Sequence, residues 1–525
     1  MREYTYKIDK AITSGLKPEE RLKSGSPYMS QMQNLIPRAE GTSLYSQVTN
    51  PFSISPTVSY PFPQLFRGKE VTLLCFQTSI YEVTETAGAW TYSKITTYDY
   101  AVPASTRSIA GGGGIWHFVD FGSDSWFLYN GNEIVFKSRH LEFSGDASKV
   151  CVVYDVTMNT GCHHRGRHIV GGFNESDFWN SAWQTFFDTH LALVTAVNSD
   201  IPLDATLGLG QNFVYWSGIG GYDILGLLYP DFMIKGPTEE QDTADPLFLT
   251  LLERNDSGFV PMPFPGQVLC VKPLGDYIIV YQEDGITALR QVQQPTPTYG
   301  ITPLKPFGIY ERGAVEGDDF GHAFVDQSGD VWTIEPSLTF KRLGYKEFIG
   351  GMVGDSMLVT QDPLRKDFYI SSDSDCYLLT SEGLGQTSEL ITSLHRAEGG
   401  LVGVSEALTG TRRDAIGVSD VIDMGHRGIK MIQSIEVWIE TEDPVYAAVY
   451  YRHDKADSYT LSSYKILNKE GHVTIPVSGI DFKIALKVPY VDSVDWNVYL
   501  DYILVHWKAI DKRFRRGLSA NENIE

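Results

Sequence analysis

The chain is poor in the features that mark most functional classes. It has five cysteines in 525 residues, Cys75, Cys151, Cys162, Cys270 and Cys376, widely spaced and without a C-x-x-C. An odd, scattered set argues against a disulfide framework and against a zinc site, and reads as reduced thiols. Basic residues are in deficit, 43 against 65 acidic, for a formal charge of −22. A general nucleic-acid binder needs a basic face to displace counterions, so that class is disfavoured. The charge does not exclude a protein past which DNA slides, because an acidic wall repels phosphate. No apolar run approaches about 18 residues, and the opening Met1-Arg2-Glu3-Tyr4-Thr5-Tyr6-Lys7 has no apolar core. Neither a membrane span nor a secretory signal is therefore expected. There is no P-loop, no G-x-G-x-x-G after a strand and no G-x-S-x-G elbow, so neither catalysis nor a cofactor is expected. The glycine run Gly111–Gly114 lacks a following Lys-Ser or Lys-Thr and reads as a turn.

What is present is aromatic and glycine-rich: 29 Tyr, 26 Phe, 10 Trp and 49 Gly. That mixture favours strands joined by tight turns. From about 65 to 410, short apolar runs alternate with turn signals. Trp126–Tyr129, Asn130-Gly131 and Ile134–Phe136 read as a hairpin. The same unit recurs around Asp284-Gly285, Asp326–Gly329 and Ser371–Asp375, each between two apolar runs. The turns fall about 45 residues apart, which is blade spacing for a β-propeller. The sequence thus predicts an all-β chain. Residues 1–64 form an irregular N-terminal arm and 65–418 a propeller of about six blades. A partly helical insertion falls around 160–250, a β-sandwich-like domain spans 419–510, and a basic and polar tail covers 511–525. A large sandwich or stacked hairpins is the alternative. Within the arm, Ser26-Pro27 reads as a helix start, with Tyr28, Met32 and Leu35 on one face and Pro37 as the stop. A second helix is expected from Ser176 through Leu191, with a stripe of Trp179, Trp183, Phe186 and Phe187 that packs on the propeller.

Few residues carry chemistry. Cys162-His163-His164-Arg165-Gly166-Arg167-His168 is rich in metal ligands. Adjacent histidines on a strand point apart, however, and two arginines repel a cation, so the segment reads as a basic surface loop. Asp326-Gln327-Ser328-Gly329-Asp330-Val331-Trp332 looks like the aspartate turn of sialidase-type propellers, a structural device in which the Asp side chain accepts backbone amides. Lys512, Arg513, Arg515 and Arg516 are the candidate contacts to DNA phosphates or an acidic partner, and an ordinary solvated tail is the alternative.

Two regions carry a resemblance. Gly15–Glu20, Ser24–Tyr28, Met32–Pro37 and Glu40–Thr42 resemble the opening of virion proteins from short-tailed bacteriophages. Gly425–Glu436, Val449–Arg452 and Trp496–Ile503 are similar to the C-terminal β domain of phage tail hub proteins, also called nozzle or packaged-DNA-stabilisation proteins. The resemblance covers about a third of the chain, and the 160–250 region has no counterpart in it. It implies a non-enzymatic virion protein, assembled in the host cytoplasm, that forms a homo-oligomeric ring of six. Such a ring sits below the portal and the head–tail adaptor. It continues and plugs the channel for genomic DNA, carries tail fibres or spikes, and does not insert stably into a membrane. The competing readings are a carbohydrate-binding or glycoside-cleaving propeller, motivated by the aromatics, and an intracellular propeller scaffold that captures peptides.

Overall fold

The computed structural model describes stretches within 3–48, 64–98, 116–174, 211–216, 258–292, 298–490 and 499–510, with breaks inside the longer ones. It is nearly all β. Six antiparallel meanders follow one another along the chain, the second of them joined on its last strand by Thr97–Tyr98 in parallel. The first runs from Gln64–Arg67 to Ala89–Lys94, the second from His117–Gly122 to Val150–Val153, and the third from Thr157–His164 to Gly258–Pro261. The fourth runs from Val268–Leu274 to Thr298–Lys305, the fifth from Val315–Asp318 to Phe340–Gly344, and the sixth from Leu358–Gln361 to Leu384–Thr387. A two-stranded hairpin, Glu389–Ala397 with Gly400–Ala407, follows as a seventh unit.

Neighbouring sheets share apolar layers. Leu73, Cys75 and Ile80 of the first meet Trp126 and Leu128 of the second. Ile169 and Val214 of the third meet Val271, Ile278 and Val280 of the fourth. Tyr369 and Leu378 of the sixth meet Leu390, Ile391 and Leu394 of the hairpin. Val404 of the hairpin then packs with Leu65, Leu74 and Val83 of the first sheet, so the series returns to its start. Strands that lie between two such layers are buried on both faces, which accounts for runs such as Val268–Val271 and Tyr277–Tyr281 that are apolar without alternation. The arrangement is propeller-like.

The turns that gave the repeat its signature are hairpin turns in the structure. Tyr277–Gln282 pairs with Ile286–Val292, Gly321–Val325 with Val331–Ile334, and Phe368–Ser371 with Cys376–Leu379. In the middle one the Asp326 carboxylate accepts the amides of Ser328 (2.8 Å) and Asp330 (3.0 Å) and the Trp332 indole N–H (2.8 Å). Gly329 takes the left-handed conformation the turn requires, at φ +86°.

Two expectations are corrected. Among its described residues the N-terminal segment is mainly strand and not an irregular arm, and 28–37 is not helical. Met29–Gln33 is a strand that pairs parallel with Leu384–Thr387 of the sixth sheet and antiparallel with Ala415–Ser419. Leu35–Arg38, with Pro37 inside it, pairs with Gly41–Leu44. Asn34, at φ 53°, makes the break between the two strands. The three- and four-residue spacing of Tyr28, Met32 and Leu35 mimics a helical face, but a helix leaves the sheet edges on either side unpaired. Tertiary pairing wins over local periodicity here. The second correction is the 160–250 insertion. Thr157–His164, Arg167–Asn174, Phe213–Trp216 and Gly258–Pro261 make a four-stranded sheet like its neighbours, and the sequence between its strands is what lengthens it. The expected helix at 176–191 lies outside the described residues.

The C-terminal strands form two packed sheets. One contains Ala415–Ser419, Asp481–Val488 and Tyr446–Arg452, continuing from the sixth sheet through Met29–Gln33. The other contains Lys430–Glu440, His472–Gly479 and Tyr499–Ala509, with Tyr4–Ile8 on the edge of the last. Ile432, Ile435, Ile503 and Val505 face Val449, Phe482 and Ile484 across a core continuous with the fourth, fifth and sixth sheets. Among the described residues no helix is long and apolar enough to cross a membrane, which says nothing about a β-barrel.

Replacing the buried Asp326 with Ala removes four charge-assisted acceptor contacts, the fourth from the Ser328 hydroxyl. Stability is expected to fall by about 2 kcal/mol or more, read as a lower urea midpoint at unchanged slope. A midpoint equal to that of the parent contradicts a structural role for this turn.

Candidate functional site: a cavity among the opening strands

The opening strands of all six sheets and of the hairpin line one cavity of about 430 Å³. Hydrogen bonds stitch several of the junctions around it. The Trp116 amide donates to Gln64 Oε1 (2.7 Å), joining the first and second sheets. The Val271 amide donates to Thr160 Oγ1 (3.0 Å), and Asn159 Nδ2 donates to the Val268 carbonyl (2.7 Å), joining the third and fourth. Thr360 Oγ1 donates to the Thr392 carbonyl (3.2 Å) between the sixth sheet and the hairpin. The circuit closes where the Leu65 amide donates to Ser393 Oγ (2.8 Å) and the His395 ring bonds the Leu65 carbonyl.

The lining is unusually cationic for so acidic a chain. It contains Arg67, Lys272 and Arg312, the histidines His117, His163 and His395, and one carboxylate, Glu316. Lys272 donates to Glu316 Oε1 at 2.7 Å between the fourth and fifth sheets. Burial pushes the Lys272 ammonium toward the neutral form, but the Glu316 carboxylate, with smaller contributions from Cys270 and Cys162, outweighs this and holds its pKa above the ordinary lysine value. Arg67 lies near Glu85 (3.8 Å) and donates to the Arg396 carbonyl. Arg312 differs from both: among the described residues its Nη1 has no hydrogen-bond partner. Burial lowers its pKa to about 10. His117 Nε2 is likewise buried and unpaired. Burial first, then the positive charges of Lys272 and Arg312, push the His117 pKa well down.

His322 stands behind this ring. Its Nε2 bonds the Pro273 carbonyl (2.8 Å), so Nδ1 accepts the Tyr281 hydroxyl (2.9 Å) and the ring is neutral. Burial is the main cause of a pKa lowered to about 4, with the Pro273 carbonyl opposing it and Lys272 adding to it.

The segment 162–168 is a strand–turn–strand, not a surface loop. Arg165 and Gly166, at φ 51° and 79°, form the two-residue turn between Thr157–His164 and Arg167–Asn174. Cys162 is buried, His163 is exposed and borders the cavity, and His164 is buried with Nε2 on the Gly275 carbonyl (3.0 Å). The adjacent histidines do point apart. Arg165 pairs with Asp276, and Arg167 is fully buried. Among the described residues no group of three or more ligand-type side chains could hold a metal. Among the described residues that line the cavity, Glu316 is the one carboxylate. Lys512, Arg513, Arg515 and Arg516 lie outside the described residues. Sequence reading missed Lys272, Arg312, His117 and Glu316. Their shared signal, polar residues in or just before opening strands, is visible only once the sheets are in register.

No family model matches this chain, and no curated protein does. Solved structures that align with it include PorZ of Porphyromonas gingivalis, a surface component of the type-IX secretion system. That match has 9% identity and a TM-score of 0.31, covering 67% of this chain and 35% of that one. The extracellular domain of a putative one-component system from B. thetaiotaomicron aligns at 9% identity and TM-score 0.37, over 89% and 62%. Apo AztD from Citrobacter koseri aligns at 9% and 0.31, over 81% and 89%. This chain thus spans about a third of the PorZ chain and under two thirds of the second.

Protonation of the inner histidines opposes folding. An unfolded His titrates near 6.5, whereas His322 titrates at about 4 in the fold, so between these values the unfolded chain binds more protons. Stability is expected to fall as pH drops from about 6.5 through about 4, by roughly 3 kcal/mol from this residue when complete. Urea midpoints against pH test this. A His322→Gln variant is expected to lose part of the slope between about pH 6.5 and 5. An unchanged slope contradicts the assignment.

Proposed function

We propose that this chain is a non-catalytic structural protein of a short-tailed phage virion, of the tail nozzle or hub type. The observation that carries the reading is the meeting of the two regions of sequence resemblance. Met29–Gln33 and Leu35–Leu44 join the sheets built from the C-terminal region, with Thr42 and Ser43 opposite Leu500 and Tyr499. Segments more than 370 residues apart in sequence are thus parts of one structural unit, which supports reading the two regions of resemblance together.

The radial sheets around one cavity support a β-propeller. In this reading the six fuller sheets and the two-stranded 389–407 hairpin are seven blades, one more than the six expected from the turns. A cavity of about 430 Å³ is too small for a duplex whose major groove alone is about 12 Å wide. DNA therefore passes through the middle of a ring of subunits and not along the propeller axis. Subunits of such a ring, six in this reading, meet through heterologous contacts that close by rotation. The charge of −22 keeps DNA from adhering to the channel wall. The basic cluster Lys512, Arg513, Arg515 and Arg516 contacts the adaptor or the DNA phosphates, and the outer surface carries fibres or spikes. In this reading the protein is assembled in the host cytoplasm and resides in the virion tail.

The oligomeric mass of the purified chain, alone and mixed with its cognate portal and adaptor, tests this, with negative-stain imaging of any large species. Six-fold rings with a central hole are expected, and charge reversal at Arg513, Arg515 and Arg516 is expected to weaken assembly. A monomer that persists in every mixture overturns the reading.

A further inference from the structure

The charges in the axial cavity do not balance. Lys272 and Glu316 neutralise each other, and Arg67 has Glu85 and a carbonyl near it. Among the described residues the buried Arg312 Nη1 has no hydrogen-bond partner, and no carboxylate contributes to the electrostatic surroundings of the guanidinium. A half-buried guanidinium without a counter-charge costs stability, because its desolvation is not offset. Folds retain such a group where something else supplies the anion. His117 adds a second unpaired buried nitrogen on the same lining, near enough to feel Arg312 and Lys272.

We propose that the axial cavity is a binding site for a small tetrahedral oxyanion of the phosphate or sulfate type, held by Arg312, Lys272 and His117. The three side chains come from three places around the ring: His117 from the second sheet, Lys272 from the fourth, and Arg312 from the turn that leads into the fifth. Donors carried on three different elements around one cavity suit an anion with acceptor oxygens on all sides better than a planar carboxylate, which presents one edge. Lys272 spends one N–H on Glu316 and keeps two others to offer. The volume, about 430 Å³, admits a small ion with its waters and excludes a folded partner. Bound there, the ion links opposing sheets and acts as a central pin for the ring. This does not depend on the virion reading.

The test uses the full chain and inorganic phosphate. The thermal midpoint is measured against phosphate concentration, with chloride at matched ionic strength and sulfate as companion series. Phosphate is expected to raise the midpoint where chloride does not. At about 100 times Kd the folding equilibrium shifts about 100-fold. Arg312→Met is expected to weaken the effect at least tenfold, and to be no less stable than the parent in phosphate-free buffer, since it removes an uncompensated charge. Lys341→Gln, an exposed change outside the cavity, is expected to keep the full shift. The proposal is overturned if phosphate acts no differently from chloride, or if Arg312→Met keeps the whole shift. Should Arg312→Met fail to fold, calorimetric titration of the parent decides. Saturable heat at one phosphate per chain supports the site, and a flat trace overturns it.

Discussion

The structure depends on the junction between its first sheet and its last hairpin. Leu65 is bonded on both sides of its backbone by that hairpin, with its amide to Ser393 and its carbonyl to His395. Some 330 residues separate these partners. Neighbouring sheets share apolar layers, so an open series leaves two apolar faces in water, one at each end. Closing the circuit buries both at once, through Leu65, Leu74, Val83 and Val404. Closure carries a loop entropy that grows only slowly with length, so a long circuit is tolerated once its faces match.

A closed circuit has a centre, and this one gathers the polar side chains of the opening strands. The centre is partly self-neutralised by Lys272 and Glu316 and stitched by Thr160, Gln64 and Ser393. The low pKa of His322 and the isolation of Arg312 are two faces of the same condition, in which little water reaches these groups and burial penalises their charged forms. The C-terminal sheets are bound to the circuit by a shared apolar core and by the strand Met29–Gln33. It pairs with the sixth sheet on one side and the C-terminal sheet on the other, with the Lys17–Asp420 ion pair (3.2 Å) beside it.

Much of the strand pattern was legible in the sequence because turns are local. Asp326 with Gly329, Asp284-Gly285 and Ser371–Asp375 specify hairpins through contacts within a few residues. Long-range pairing was not legible. Nothing local to Tyr28–Pro37 tells that two sheet edges await it, and its apolar spacing fits a helix equally well. The segment 162–168 read as a loop because its histidines and arginines are polar, although the Arg165-Gly166 turn was there to be seen. The cavity was invisible for a different reason. His117, Lys272, Glu316 and His395 are ordinary strand residues until the ring brings four separate sheets around one axis.

Native-state hydrogen exchange at the Leu65 and Trp116 amides measures closure most directly. Both lie at ring junctions and donate to side chains across them, not within their own sheets. If the ring opens only when the protein unfolds, both amides exchange with the free energy of global unfolding, as do the amides of Val280 and Phe324 deep in the central sheets. Exchange of Leu65 at the rate of an exposed loop contradicts the central claim, since it means that the first sheet and the last hairpin part without cost.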